Sequence, residues 1–158
     1  MPKYFKKRYS RASRDKYSVE QTAMAVGVGG AAQSAVAVVP ATSTQGMRKI
    51  KHLTISVSNT SGESVVATAY WALVFVPQGT TPNPLAVGTI TSPASFYEPN
   101  QYVMNCGVFD LTAGPTRIST PLSRNLNSGD SVYLIIANPD SVNSLSLACV
   151  VRYAITLQ

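Results

Sequence analysis

Apolar and polar residues alternate along much of the chain after residue 33, and this period of two predicts β-strands instead of helices. The pattern is most regular over residues 145–157, where every second position is apolar from end to end. Residues 65–76 differ because they are apolar on both faces, which is typical of a strand buried on both sides. The chain therefore predicts an all-β domain with at least one strand in its interior.

A second regular alternation covers residues 49–58, with Leu53, Ile55 and Val57 on its apolar face. Shorter apolar runs between clusters of Pro, Gly and Asn predict further strands. Residues 77–84 contain three prolines, which exclude a strand there. The eight predicted strands cover residues 33–39, 49–58, 65–76, 85–90, 101–109, 116–120, 132–137 and 145–157.

Eight strands without a helix, in a chain of 158 residues, predict a single β domain. Its architecture is either a sandwich, among which the jelly roll is prominent, or a barrel. Residues 1–20 lack any regular period and are predicted to form a disordered basic arm. Residues 21–32 are rich in Gly and Ala and predict a flexible tether. The β domain then covers residues 33–158, with a loop at residues 125–130.

Positive charge is concentrated in the N-terminal arm. Residues 1–16 hold seven basic residues and one acidic residue, a net charge of +6, and the remainder of the chain has six of each. Aromatic residues lie between these cations, so phosphates and unpaired bases could both be bound. A solvated basic tail or a nuclear-import signal is the alternative interpretation. The predicted nucleic-acid-binding residues of the arm are Lys3, Lys6, Lys7, Arg8, Arg11, Arg14 and Lys16.

A second basic cluster stands at the start of a predicted strand and consists of Arg48, Lys49 and Lys51, followed by His52. We predict that its three cations extend the positive path of the arm and also bind nucleic acid. The alternative is the solvated end of an edge strand, where lysines prevent unwanted pairing. The residue pattern leaves both interpretations open.

Residues suited to catalysis are scarce in this chain. One histidine, His52, and scattered carboxylates form no catalytic triad, so no enzymatic activity, cofactor or metal site is expected. Cys106 and Cys149 lie in apolar runs and are predicted to be reduced core thiols, with a disulfide between them as the alternative. No apolar run approaches the roughly 20 residues of a membrane span, so no membrane partner is expected.

Three stretches, at residues 70–80, 95–101 and 122–130, carry a resemblance to a known family. They include the runs Tyr-Glu-Pro-Asn-Gln and Arg-Asn-Leu-Asn-Ser-Gly-Asp, which are not general features of β-sheets. Together they resemble the capsid proteins of small circular, Rep-encoding single-stranded DNA viruses, a group that includes circovirus-like agents. The likeness extends over most of residues 48–158.

The resemblance implies an eight-stranded antiparallel jelly-roll sandwich and a homo-oligomeric icosahedral shell of about 60 subunits. It further implies that the packaged polymer is circular single-stranded DNA, that the mature location is the virion, and that assembly involves the host nucleus. Contacts between subunits are expected at three loops, namely residues 77–84, 110–115 and 122–130.

Two other classes of protein stay open at this stage. A non-viral nucleic-acid-binding β-barrel would need aromatic residues clustered on one exposed sheet face, whereas here they are spread over predicted core positions and loops. A lectin-like adhesion module would ordinarily carry a secretion signal, and none is visible.

Overall fold

The computed structural model describes residues 17–61, 66–83, 102–121 and 123–157, and every helix or strand found within these ranges is a β-strand. All strand pairings are antiparallel and form two sheets. The nine strands of this part of the chain are β1 (Ser18–Val28), β2 (Gln33–Val39), β3 (Arg48–Asn59), β4 (Thr68–Val76), β5 (Tyr102–Asp110), β6 (Thr116–Thr120), β7 (Arg124–Leu126), β8 (Ser131–Ala137) and β9 (Leu145–Leu157).

The two sheets share a nested pattern of strand pairing. Sheet A has the order β1-β9-β3-β6, with β7 also paired to β3, and sheet B has the order β2-β8-β4-β5. The pairing is nested because early strands pair with late ones from the outside inward: β1 pairs with β9, β2 with β8, β3 with β6 and β7, and β4 with β5. The chain thus follows the path of one long antiparallel ribbon that is folded back on itself, and its first and last strands are neighbours.

The main hydrophobic core lies between the inner faces of the two sheets. Ile55 of sheet A and Leu134 of sheet B belong to it and are fully buried. Trp71 stacks on Phe109 with ring centroids 5.9 Å apart. Gly107 lies against the same indole, where a Cβ atom would come within 3.0 Å of the ring, so a larger residue here would require the indole to shift.

Strand β4 is buried on both faces, which confirms the prediction from its continuous apolar run. Its inward residues join the main core. On the outer face of sheet B, Ala72, Val74 and Val76 form a second apolar cluster with Ile135 of β8. These four side chains are at most 1% exposed.

The all-β prediction is confirmed, and seven of the eight predicted strands coincide with observed ones. The eighth, at residues 85–90, lies outside the described residues, as do residues 1–16 of the predicted arm. The confirmed strands correspond to β2, β3, β4, β5, β6, β8 and β9.

The prediction of disorder up to residue 20 and of a flexible tether over residues 21–32 is wrong for Ser18–Val28, which forms β1. All 11 residues of β1 pair in register with β9. Val26 and Val28 face the core and are at most 4% exposed. Small residues have little intrinsic strand propensity, so pairing with the long strand β9 decides the structure here.

The loop prediction for residues 125–130 is wrong at its start, because residues 124–126 form β7. This short strand pairs with the beginning of β3, where Leu126 lies opposite Arg48. Leu126 is fully buried in the main core. Burial of a single leucine anchors a segment whose other residues are polar.

A β-bulge interrupts β3 between Lys51 and Thr54, where the pairing with β9 shifts by one residue. His52 within it has a φ of 54°, a left-handed conformation that is rare for residues other than glycine. The extra residue reverses the alternation. Lys51 and Thr54 therefore both face outward, while Ile50 and Leu53 both face the core.

The two cysteines have different environments, and both are free thiols. Cys149 of β9 is buried in the main core, which confirms the prediction for this residue. Cys106 of β5 is exposed, so the prediction of a core thiol is wrong there. Burial raises the pKa of the Cys149 thiol to about 11.

Candidate nucleic-acid interface

Four of the six basic residues that follow residue 16 lie on the outer face of sheet A. Lys49 and Lys51 belong to β3, Arg117 to β6 and Arg152 to β9. Their neighbours along each strand pack in the main core, so the alternation of a strand directs these four side chains to the other side of the sheet. We call these four residues the basic face.

No carboxylate in the described part of the chain shares the basic face. Glu20 pairs with Tyr153, whose side chain belongs to the core on the inner side of sheet A. Burial, and after it the charge of Glu20, raises the pKa of Tyr153, which agrees with this location. The other described acidic residues are at the end of β5 in sheet B or in the loops on either side of β8, namely Asp110, Asp130 and Asp140.

The arm joins the molecule at the basic face. Tyr17, the first described residue, places its ring 4.7 Å from the Nζ atom of Lys51. This distance is typical of a cation–π contact, which stabilises both side chains in place. The seven cations predicted to bind nucleic acid precede Tyr17 in the sequence, and Tyr17 itself lies at a surface that carries four more.

A polar groove of about 210 Å³ crosses the basic face. Arg152 is oriented by Gln21, whose Oε1 atom accepts hydrogen bonds from Nε at 3.2 Å and from Nη2 at 2.8 Å. Arg117 is exposed and has no hydrogen-bond or ion-pair partner among the described residues. The groove is lined by Thr54, Ser56, Arg117, Val150 and Arg152.

Arg48, which the sequence places in the second basic cluster, lies in the interior instead. It is only 7% exposed. Its Nη1 atom donates to the carbonyl of Pro40 at 3.2 Å, and Nη2 donates to the carbonyl of Asp130 at 3.1 Å. A guanidinium held by two backbone carbonyls stabilises the surrounding loops, so Arg48 is not part of the basic face.

The run Arg-Asn-Leu-Asn-Ser-Gly-Asp ends in a turn with a structural role. The Asp130 carboxylate accepts hydrogen bonds from the backbone N–H of Gln78 at 3.0 Å and of Asn127 at 2.8 Å. Gly129 has a φ of 84° and donates to the carbonyl of Thr42 at 3.0 Å. The turn thus connects three loops at one end of the sandwich.

Arg124, the remaining one of the six basic residues after residue 16, also has a structural contact. Its guanidinium carbon is 4.2 Å from the ring centroid of Phe75 and 5.5 Å from that of Tyr102. Strand β7 of sheet A is thereby linked to β4 and β5 of sheet B. This contact separates Arg124 from the four residues of the basic face.

Two of the four residues of the basic face were predicted from the residue pattern and two were not. Lys49 and Lys51 were predicted, whereas Arg117 and Arg152 were not. Each missed arginine occupies a polar position of an alternating strand, a signal of a solvent-facing cation. Their proximity depends on β6 and β9 lying on opposite sides of β3, which a residue pattern does not reveal. The seven predicted arm residues lie outside the described residues.

Within the described ranges, no group of three or more His, Cys, Asp or Glu side chains could hold a metal ion. The same ranges contain no helix that is long and apolar enough to cross a membrane. No family model matches the chain, and no curated protein matches it significantly.

Proposed function

We propose that this chain is the capsid protein of a small virus and packages single-stranded nucleic acid. The observation that carries the proposal is the continuity of the arm with the basic face. An arm segment with a net charge of +6 leads, at Tyr17, onto four further cations with no described carboxylate among them. A one-sided distribution of positive charge on an otherwise neutral body suits a shell whose inner surface contacts a polyanion.

We further propose that the two sheets form an eight-stranded jelly roll. β6 and β7 pair with successive parts of β3 and can be counted as two pieces of one strand. Each sheet then has four strands, and the nested pairing of first with last strand is the arrangement expected when a ribbon wraps into two Greek keys. Jelly rolls are common in viral capsids, so the strand order supports the proposed class.

In the proposed shell the basic face lines the interior. The net charge of +6 on the arm segment and the four cations of the basic face together give ten positive charges per subunit on this side of the subunit, or about 600 in a shell of about 60 subunits. Each of them can offset one phosphate of the packaged strand. On the sequence resemblance, that strand is circular single-stranded DNA, the mature location is the virion, and assembly involves the host nucleus.

Self-association is supported by the surface of sheet B. Tyr70 and Val108 are paired across β4 and β5, and they are 41% and 55% exposed. Only 13% of the residues in the chain are charged, about half the usual share. Adjacent exposed apolar residues on a surface with few charges favour contacts with further copies of the chain.

Electron microscopy of the purified chain, combined with its 260/280 nm absorbance ratio, tests this proposal. We expect uniform closed particles that contain nuclease-protected nucleic acid. A variant with all seven arm cations replaced by Gln should still form particles, but with a lower absorbance ratio, because the shell contacts are retained and most interior charge is lost.

Monomers that bind oligonucleotides but form no particles over a range of salt and protein concentrations would contradict the capsid proposal. They would favour a non-viral nucleic-acid-binding module. Particles with the same nucleic-acid content in the arm variant and in the unmodified chain would contradict the role of the arm.

A further inference from the structure

We infer that the groove between Arg117 and Arg152 is a fixed binding site for a backbone phosphate of the packaged strand. This inference rests on the proposed function and adds to it a defined site on the folded domain, separate from the arm. Neither arginine belongs to the arm or to the second basic cluster of the sequence.

The strand register brings the two arginines together over β3. Arg117 of β6 pairs with Ser56, and Arg152 of β9 pairs with Thr54, so the two cations flank β3 from opposite sides. Adjacent strands lie about 4.8 Å apart, and the partners Ser56 and Thr54 are two residues apart along β3, which puts the two arginine backbones roughly 12 Å from each other. Long side chains from both sides can reach one ligand above the hydroxyl groups of Ser56 and Thr54.

The donors in the groove match the oxygens of a phosphate. An arginine presents its N–H groups in a planar fork that can bind two phosphate oxygens at once. Gln21 engages Nε and Nη2 of Arg152 and thereby restricts the orientation of the guanidinium. A donor that is already oriented loses less conformational entropy when a ligand binds. Arg117, without a partner in the described part of the chain, can adjust to the same ligand.

The lining of the groove indicates that it binds the backbone of a strand and not its bases. Among the described residues that line it, Val150 is the only apolar one, and none is an aromatic residue that could stack on a base. Binding should therefore tolerate any sequence. A free phosphate ion has the same chemistry, but the position of the groove favours a strand. Lys51, which contacts Tyr17 at the end of the arm, pairs with Ala154. Ala154 is two residues from Arg152, a distance of roughly 7 Å along β9.

Fluorescence anisotropy with labelled oligothymidylate of 12 nucleotides tests the site in the full-length chain. The double variant R117Q/R152Q should bind about tenfold more weakly, because two charge-assisted contacts are removed. R117Q alone should weaken binding by a smaller factor and should leave the melting temperature unchanged, since Arg117 has no described partner. The arm variant K6Q/K7Q is the control with an equal loss of charge.

Arginine-specific modification by phenylglyoxal, read by mass spectrometry, locates the contact. The oligonucleotide should protect Arg117 in the unmodified chain and also in K6Q/K7Q. Arg124, which stacks on Phe75, is the internal reference and should keep its reactivity. Inorganic phosphate at the same concentration of phosphate groups should give much weaker protection, because it lacks the additional contacts of a strand.

The possible failures are distinguishable. If the affinity of R117Q/R152Q for the oligonucleotide is within twofold of that of the unmodified chain while K6Q/K7Q loses affinity, the groove assignment is wrong and the proposed function is not contradicted. Equal protection of Arg117 by inorganic phosphate would make the groove a site for free anions. If the unmodified chain does not bind the oligonucleotide even at low salt, the proposed function fails as well.

Discussion

Asp130 is a charged residue whose main contribution is to stability. Its carboxylate accepts two backbone hydrogen bonds from separate loops, and its own carbonyl accepts one from Arg48. Replacing it with Ala leaves the N–H groups of Gln78 and Asn127 without their acceptor. We expect Asp130→Ala to lower the free energy of unfolding by about 1–3 kcal/mol, since a hydrogen bond to a charged group contributes about 1.5–3 kcal/mol and these two are partly buried. Urea denaturation measures this loss.

The matched control is Asp110→Ala. Asp110 is exposed, and its side chain accepts hydrogen bonds from Thr112 and from the backbone of Ala113 in the adjoining loop, which lowers the pKa of this carboxyl. The loss of stability should therefore be clearly smaller than for Asp130→Ala. Equal losses for the two variants would show that the Asp130 turn does not connect the loops as described.

The two thiols should react at very different rates in the folded protein. Alkylation requires the thiolate. Cys149 is buried and its pKa is raised to about 11, whereas Cys106 is exposed. Iodoacetamide at pH 8 should therefore label Cys106 alone, and Cys149 only after unfolding. Mass spectrometry of the labelled peptides reports the sites, and rapid labelling of Cys149 in the native chain would contradict its burial.

The raised pKa of Cys149 also makes the free energy of unfolding depend on pH. The folded state holds the thiol proton more tightly than the unfolded state, whose pKa is near 9.0. The contribution of this group is therefore fully present below about pH 9 and is lost as the pH rises towards 11.

Among the strands, β3 depends on its bulge to present the cationic side chains. His52 adopts a left-handed conformation that costs most residues about 1–2 kcal/mol and glycine almost nothing. We expect His52→Gly to keep or raise the free energy of unfolding. His52→Val should lower it by about 1–2 kcal/mol, because a β-branched side chain disfavours this conformation more strongly.

Ser58→Val, at a regular position of the same strand, is the control for introducing valine and should have a small effect. Denaturant unfolding compares the three variants. Should His52→Gly be the least stable of them, the left-handed conformation of residue 52 would be incorrect.

For the whole molecule, salt dependence measures how many cations contact the nucleic acid. The logarithm of the binding constant for single strands falls by about 0.7 for each phosphate contact per unit of log salt concentration. If the seven arm cations and the basic face all participate, the slope approaches about −8. Neutralising the seven arm cations should reduce its magnitude to about 3.

Anisotropy titrations between low and moderate salt concentrations measure both slopes. A slope near zero after the arm is neutralised would mean that the basic face makes no contact. An unchanged slope would mean that the arm makes none.

Much of the fold follows from the period of the residues. The regular alternation over residues 145–157 and the continuous apolar run before Pro77 correctly indicate an amphipathic strand and a strand buried on both faces. β1 and β7 were not predicted, because small and polar residues have little intrinsic propensity to form a strand. Their pairing partners, β9 and β3, are distant in sequence.

The all-β class, the positions of most strands and the concentration of positive charge in the arm can all be read from the sequence, because they depend on local residue type and period. Which cations of the β domain share a surface depends instead on how the strands pair in the folded molecule. A one-residue bulge at His52 directs Lys51 outward, and interior hydrogen bonds hold Arg48 away from that surface. Strand order places Arg117 and Arg152 on the two strands that flank β3. Each of these outcomes depends on pairing between segments far apart in the chain, which no local pattern encodes.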